Sequence, residues 1–274
     1  MNTITLEKKS ARQLHLTVLS SLFGDFGSSI FTFGLSFMLL ERTGSVYSFA
    51  LSAIISPIIG LVLLPFVGPL IDKYSRKLII ILSQSFTIVG LLAYWMAFPY
   101  IQNHLLAASV VLIAILKVSD QFTSTARQAS TIHLVIEKHL SKLSAYSQMT
   151  SSTAGVISSI FGAFFYTLLP FYLFILLELM TEILTLVFTS LLNFNFQKAA
   201  EKAAPVKQSQ LTLFKEGLQF IKGQKYLLFG MTLALSVNFF LGIFSVGLPV
   251  LFLQALKASN LQFGFGEAIN GFGF

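Results

Sequence analysis

The sequence has no cysteine among its 274 residues, which excludes a disulfide framework, a thiolate metal site and a cysteine nucleophile. Charge is nearly as scarce: 11% of residues are Asp, Glu, Lys or Arg, against roughly a quarter in a soluble domain. The four histidines, His15, His104, His133 and His139, fall at the ends of apolar runs or between them, with no partner at metal-binding spacing. There is no Gly-x-x-x-x-Gly-Lys phosphate loop, no His-Glu-x-x-His and no Gly-x-Ser-x-Gly. ATP-driven, zinc-hydrolase and serine-hydrolase chemistry therefore have no residues to rest on, and no cofactor or metal is expected. The alternating ten-residue pattern of a membrane β-barrel is missing as well.

What is present is apolar length. Residues of apolar type make up 55% of the chain, including 29 Phe beside a single Trp. A helix needs about 20 apolar residues to cross the hydrocarbon core, and such runs occur near 14–40, 46–70, 78–98, 105–126, 146–168, 170–194 and 226–253. An eighth run opens near Leu261 and reaches Phe274. Backbone groups in lipid must be satisfied within their own segment, so these runs predict an all-α polytopic membrane protein with lipid as its main solvent. The first run is too long for a signal peptide and lacks a small-residue cleavage site, so it is expected to remain as a span.

Basic residues set the orientation. Lys8, Lys9 and Arg12 precede the first run, and Lys73, Arg76 and Lys77 follow the second. Arg127, Lys138 and Lys142 follow the fourth, and six lysines from Lys198 to Lys225 follow the sixth, whereas only Arg42 and Lys257 fall on the opposite side. The positive-inside rule then puts the amino terminus in the cytoplasm, which argues against a seven-helix receptor. The net charge of +7 reports topology, and nucleic acid is not an expected partner.

Residues 195–225 are the one long hydrophilic stretch and divide a six-span bundle, 1–194, from the segment 226–274. Within that linker Leu211, Phe214, Leu218 and Ile221 have helical spacing, with Lys215, Glu216 and Lys222 between them, as in a helix lying on the membrane surface. Shifting the chain by 213 residues places Asp25 to Leu35 over Asn238 to Leu248 with five of eleven positions identical, the mark of a parallel internal repeat.

The segment between the second and third runs carries Gly68, Leu70, Asp72, Arg76 and Lys77. It resembles the cytoplasmic loop motif G-x-L-x-D-R-x-G-R-K of the major facilitator superfamily, with Lys73 in place of Arg and Ser75 in place of Gly. Gly24-Asp25, Thr43-Gly44-Ser45, the stretch Ala126-Arg127-Gln128-Ala129 and the phrase from Phe214 to Leu218 are similar to the bacterial drug and macrolide efflux subgroup. The fifth run departs from antiporters of that kind, with Ser158 and Ser159 where a Gly-Pro pair would fall. It keeps small residues four apart, Ala154, Ser158 and Gly162 beside Gly155, Ser159 and Ala163, a spacing that lets helices approach closely.

The resemblance implies a secondary transporter of the bacterial inner membrane, a six-helix amino-terminal half followed by the seventh and a partial eighth helix. Small-molecule substrate and protons would be its partners, and membrane lipid its surroundings. It implies export of a small lipophilic compound or drug against inward proton movement, with proton-coupled uptake or a truncated remnant as alternatives. It also implies further spans beyond this sequence, on one of which the loop motif would find its latch partner.

Ionisable groups at bilayer depth usually face a cavity or a partner. At about 1.5 Å per residue, Asp25 and Glu182 fall near the midplane, Glu178 nearer the outside, Lys117 deep, and Asp120 one turn nearer the cytoplasm. The family's cavity-lining helices would place Asp25, Lys117, Asp120 and Asn238 around one passage. Asp25 is the first candidate proton carrier, with a purely structural Asp25–Lys117 pair as the alternative. Glu178 and Glu182 share one helix face, on a span that the resemblance makes peripheral, either as a second proton site or reaching out to a basic group.

Overall fold

The computed structural model describes residues 3–194, 196 and 219–272. Among these the chain is helical throughout: α1 (Thr3–Thr43), α2 (Val46–Lys73), α3 (Arg76–Ala97), α4 (Leu105–Leu134), α5 (Glu137–Leu168), α6 (Phe171–Ser190), α7 (Lys225–Pro249) and α8 (Asn260–Phe272). Seven helices are long and apolar enough to cross a membrane, in agreement with the seven complete runs. The surface helix expected around Leu211, Phe214 and Leu218 lies outside the described residues, apart from a helical stretch at 219–223.

Several helices overrun their apolar segments at one end of the bundle. α1 starts at Thr3 rather than near 14, and its 41 residues span about 60 Å, twice the hydrocarbon thickness of about 30 Å. Residues 127–145, expected as a connection, are instead the end of α4 and the start of α5, with only Val135 and Ile136 between them. The reason is local packing: Leu14, Leu134, Val135, Leu143 and Leu192 form a small core just beyond the apolar runs. Polar bonds close it, since Ser10 Oγ accepts from Ile136 N–H at 3.0 Å and bonds His139 Nδ1 at 2.9 Å. Lys138 pairs with Glu7 at 3.0 Å on the same face.

α1 is the central element, packed against α5 and α6 and touching α2 and α4, while α3 joins α4 to α6. Toward the end where α1 finishes, the bundle is filled by Phe31, Leu35, Leu91, Leu112, Phe174 and Ile175, all buried. Tyr94 adds a polar tie there, its hydroxyl 2.7 Å from Ser109 Oγ. The α1–α6 contact is close because α1 presents glycine: a Cβ on Gly27 would come within 2.9 Å of Glu178 Oε2.

The small residues of α5 serve two neighbours. A Cβ on Gly162 would lie 3.0 Å from Phe33 of α1, and Ser159 and Ala163 admit Gly264 of α8, whose added Cβ would be 2.7 Å from Ser159 O. Ser158 and Ser159 turn their hydroxyls back to the α5 backbone, to Gly155 O at 2.9 Å and Val156 O at 2.8 Å. α7 passes into a π-helical turn (Val250–Ala255) and, unlike α1, keeps nearly all its described side chains exposed.

The motif from Gly68 to Lys77 is less a loop than two helix ends. Gly68, Leu70 and Asp72 lie in the last turns of α2, and Arg76 and Lys77 open α3, with Tyr74 and Ser75 between. Both basic side chains bind carbonyls of the same bundle: Arg76 Nη1 donates to Ala129 O at 2.6 Å, and Lys77 Nζ to Ser190 O at 2.6 Å and Leu192 O at 2.9 Å. Lys77 thus caps the carboxyl end of α6, where a cation is favoured. Asp72 is exposed and has no hydrogen bond or ion pair among the described residues.

Candidate functional site

Below the apolar plug, toward the end of the bundle that holds the amino terminus, α1, α3, α4, α5 and α6 enclose a cavity of about 570 Å³. Each helix turns a polar stretch into it: Ser21, Asp25 and Ser28 from α1, Gln84 and Thr87 from α3, and Lys117, Ser119, Asp120 and Arg127 from α4. Ser144, Ser147 and Gln148 come from α5, and Glu182 and Thr185 from α6. Hydroxyl and amide groups dominate, and no aromatic side chain belongs to the lining among the described residues. The volume suits a small-molecule site.

Three of the four residues expected around one passage are here, Asp25, Lys117 and Asp120. Lys117 pairs with Asp120 at 3.1 Å, one turn along its own helix, so the Asp25–Lys117 pair is not formed. Asp25 has no hydrogen bond and no ion pair within 4.0 Å among the described residues. Its electrostatic neighbour is Arg127, which also interacts with Glu182 and Asp120 and donates a hydrogen bond to Ser21 Oγ at 2.8 Å. The arrangement is a cation from α4 facing carboxyls from α1 and α6, across a space open to a small molecule.

Asn238 does not join them. It is exposed on α7, its Nδ2 bonded to Ala234 O at 2.8 Å, because α7 is not packed against the cavity helices as α1 is. The peripheral placing of the sixth span is corrected too: α6 packs on α1 and α3, Glu182 lines the cavity, and Glu178 is 0% exposed. Glu178 accepts from Thr181 Oγ1 at 3.1 Å, while its other oxygen has no hydrogen-bond partner among the described residues; it makes no ion pair there and is not part of the cavity lining.

Arg127, expected beyond the fourth span, stands in the Ala126–Ala129 stretch that carries the efflux resemblance. The continuation of α4 to Leu134 brings it inward. Gln84 and Ser119 carry no sequence signal of their own.

A family model described as Major Facilitator Superfamily matches residues 17–274. The chain belongs to that superfamily. Among curated relatives, macrolide efflux protein A of Streptococcus pyogenes is 21% identical over 203 residues, covering 72% of this chain and 48% of the relative. The protein of the same name from Streptococcus pyogenes serotype M6 matches to the same extent. This major facilitator chain therefore spans about half the length of the curated relatives it matches. Among solved structures, a crystal structure of a D-xylose-proton symporter superposes with a TM-score of 0.59 at 15% identity, over 96% of this chain and 66% of that one. At that identity the likeness concerns the fold, and it agrees with the helical arrangement described above.

Proposed function

We propose that the protein is a proton-coupled secondary transporter that exports small lipophilic or drug-like compounds, with the polar cavity as its binding site. The observation that carries this reading is the set Asp25, Arg127 and Glu182, which brings titratable groups from three helices to one membrane-embedded space. A carboxyl without a fixed partner, such as Asp25, can hold either a proton or a cationic substrate, and occupancy by one opposes the other. Similarity to macrolide efflux proteins favours export, and macrolides are the first compounds to test.

In this reading the chain is oriented with its amino terminus in the cytoplasm of a bacterial plasma membrane. The cavity then sits in the cytoplasmic half beneath the Phe31–Phe174 plug, an inward-facing arrangement. Release outward needs that plug to part, as rocking of the two halves of a major facilitator would do. The test is uptake of a radiolabelled macrolide into inverted membrane vesicles carrying the full-length protein. Accumulation driven by an imposed pH gradient and abolished by a protonophore supports export. Movement only in right-side-out vesicles supports symport into the cell, and no gradient-driven movement in either removes the proposal.

A further inference from the structure

The first three turns of α1 lie outside the apolar run, yet they are fixed to the bundle. Ser10, Gln13, Leu14 and Thr17 are buried along one side. Ser10 bonds Ile136 N–H and His139, and Gln13 Oε1 accepts from Asn193 N–H at 3.2 Å, so the helix is tied to the start of α5 and to the chain just past α6.

The opposite side is basic. Lys8, Arg12 and His15 follow one another at helical spacing with Lys9 beside them, and all four are exposed. His15 is held on this stripe by its Nδ1–H, which donates to Ala11 O at 2.7 Å. The side chains of Lys8, Lys9 and Arg12 make no hydrogen bond or ion pair among the described residues. Glu7, which precedes them, is already paired with Lys138, and exposed Lys142 stands one turn further along α5. Glu137 is the remaining acid there, so residues 3–15 and 137–142 carry five Lys or Arg against two Glu.

The same stripe continues into the apolar run as Leu19 and Leu22, 39% and 38% exposed. It therefore turns from apolar to basic between Leu19 and His15. Arg12, Lys9 and Lys8 lie about 3–9 Å beyond Leu14 along the helix, the depth of the polar layer that adds about 5–8 Å to each side of the hydrocarbon.

We propose that this face of α1 is a binding surface for anionic phospholipid headgroups in the leaflet at the amino-terminal end of the bundle, with Lys8, Lys9 and Arg12 on the phosphate and the acyl chains along Leu19 and Leu22. The basic side chains stand on a helix that is already fixed, so binding requires no ordering of the backbone. A zwitterionic headgroup offsets its phosphate with its own cation, so the surface selects net negative charge. The inference holds whatever compound the cavity carries.

The test uses the purified full chain with one cysteine, introduced as Leu19→Cys and labelled with bimane, in vesicles that mix phosphatidylglycerol and phosphatidylcholine, one of them with brominated chains. Quenching of the bimane by each brominated lipid gives their relative affinity for this face. Phosphatidylglycerol should be preferred by roughly fivefold or more, the worth of one basic residue at an anionic surface. Lys8→Gln, Lys9→Gln and Arg12→Gln together should bring the ratio close to one, and Lys73→Gln, an exposed lysine lost from α2, should leave it unchanged. Lys8→Gln and Arg12→Gln singly, each with a partial loss, serve if the triple variant does not fold.

Equal quenching by the two lipids overturns the proposal. So does a preference that the triple variant keeps, or one that Lys73→Gln removes as fully, since net charge and not this face then selects the lipid. A preference abolished by sodium phosphate but not by sodium chloride of the same ionic strength marks a site for free phosphate and overturns it too. No transport is read, so the outcome is independent of the transporter reading.

Discussion

Gly27→Ala tests the packing that shapes the cavity wall between α1 and α6. An alanine Cβ at this position would lie 2.7 Å from Thr181 Cβ and 2.9 Å from Glu178 Oε2, closer than Cβ atoms approach in proteins. α1 is held on its other side by α5, so the strain falls on the α6 side chains. Overpacking of a dense interior costs about 1–3 kcal/mol. Displacing Thr181 also breaks its 3.1 Å bond to Glu178, which adds about 0.5–1.5 kcal/mol and leaves a buried carboxyl with no partner. The expected loss of stability is therefore about 2–4 kcal/mol. Denaturant unfolding of the purified protein in detergent measures it, and Thr181→Ala in the same molecule supplies the control. Alanine at 181 removes the hydroxyl that crowds the Gly27 position but keeps its own Cβ there, so the double variant recovers only part of the steric cost, a coupling of about 0.5–1.5 kcal/mol. A Gly27→Ala protein within about 0.5 kcal/mol of the parent, or a double variant no better than the sum of its single changes, refutes the close α1–α6 approach.

Arg127→Gln leaves Asp25, Asp120 and Glu182 with Lys117 as the sole cavity cation among the described residues, and transport in vesicles should fall by about ten- to a hundredfold, the worth of a charged hydrogen bond, with Arg127→Lys falling less. Lys77→Met removes the cap on the α6 carbonyls and should cost about 0.3–2 kcal/mol in the unfolding assay, whereas exposed Asp72→Asn should change stability by less than about 0.5 kcal/mol. Gly264→Ala drives a methyl against Ser159 O, an atom of the α5 backbone that cannot swing aside. It should cost about 1–3 kcal/mol and loosen the α5–α8 contact, measurable as lower efficiency of a cysteine crosslink between the two helices in this naturally cysteine-free background.

The spans were legible because hydrocarbon imposes its own length rule, and the apolar runs appear as helices in order. Their ends were not. Hydropathy marks where lipid stops, whereas α4 and α5 continue through residues 127–145 because Leu134, Val135 and Leu143 find partners in Leu14 and Leu192. That continuation is what carries Arg127 into the cavity. Asp25, Lys117 and Asp120 were found from their cost in lipid, a property of single residues. Gln84 and Ser119 escaped because neutral polar residues are cheap enough to sit anywhere on a membrane helix, and only the facing of five helices gives them a shared space. Asn238 was expected there because the resemblance makes the first span of each three-helix unit cavity-lining, but that does not create the neighbours that α1 has and α7 lacks. The motif at Gly68 to Lys77 indicated the right family, while the bonds of Arg76 and Lys77 lie within their own bundle.

The most direct test of the central claim is proton movement in proteoliposomes of the full-length protein, followed with an internal pH dye as a macrolide is added. The account predicts a macrolide-dependent pH change with the unaltered protein and none with Asp25→Asn. An Asp25→Asn protein that moves protons as the parent does would contradict it.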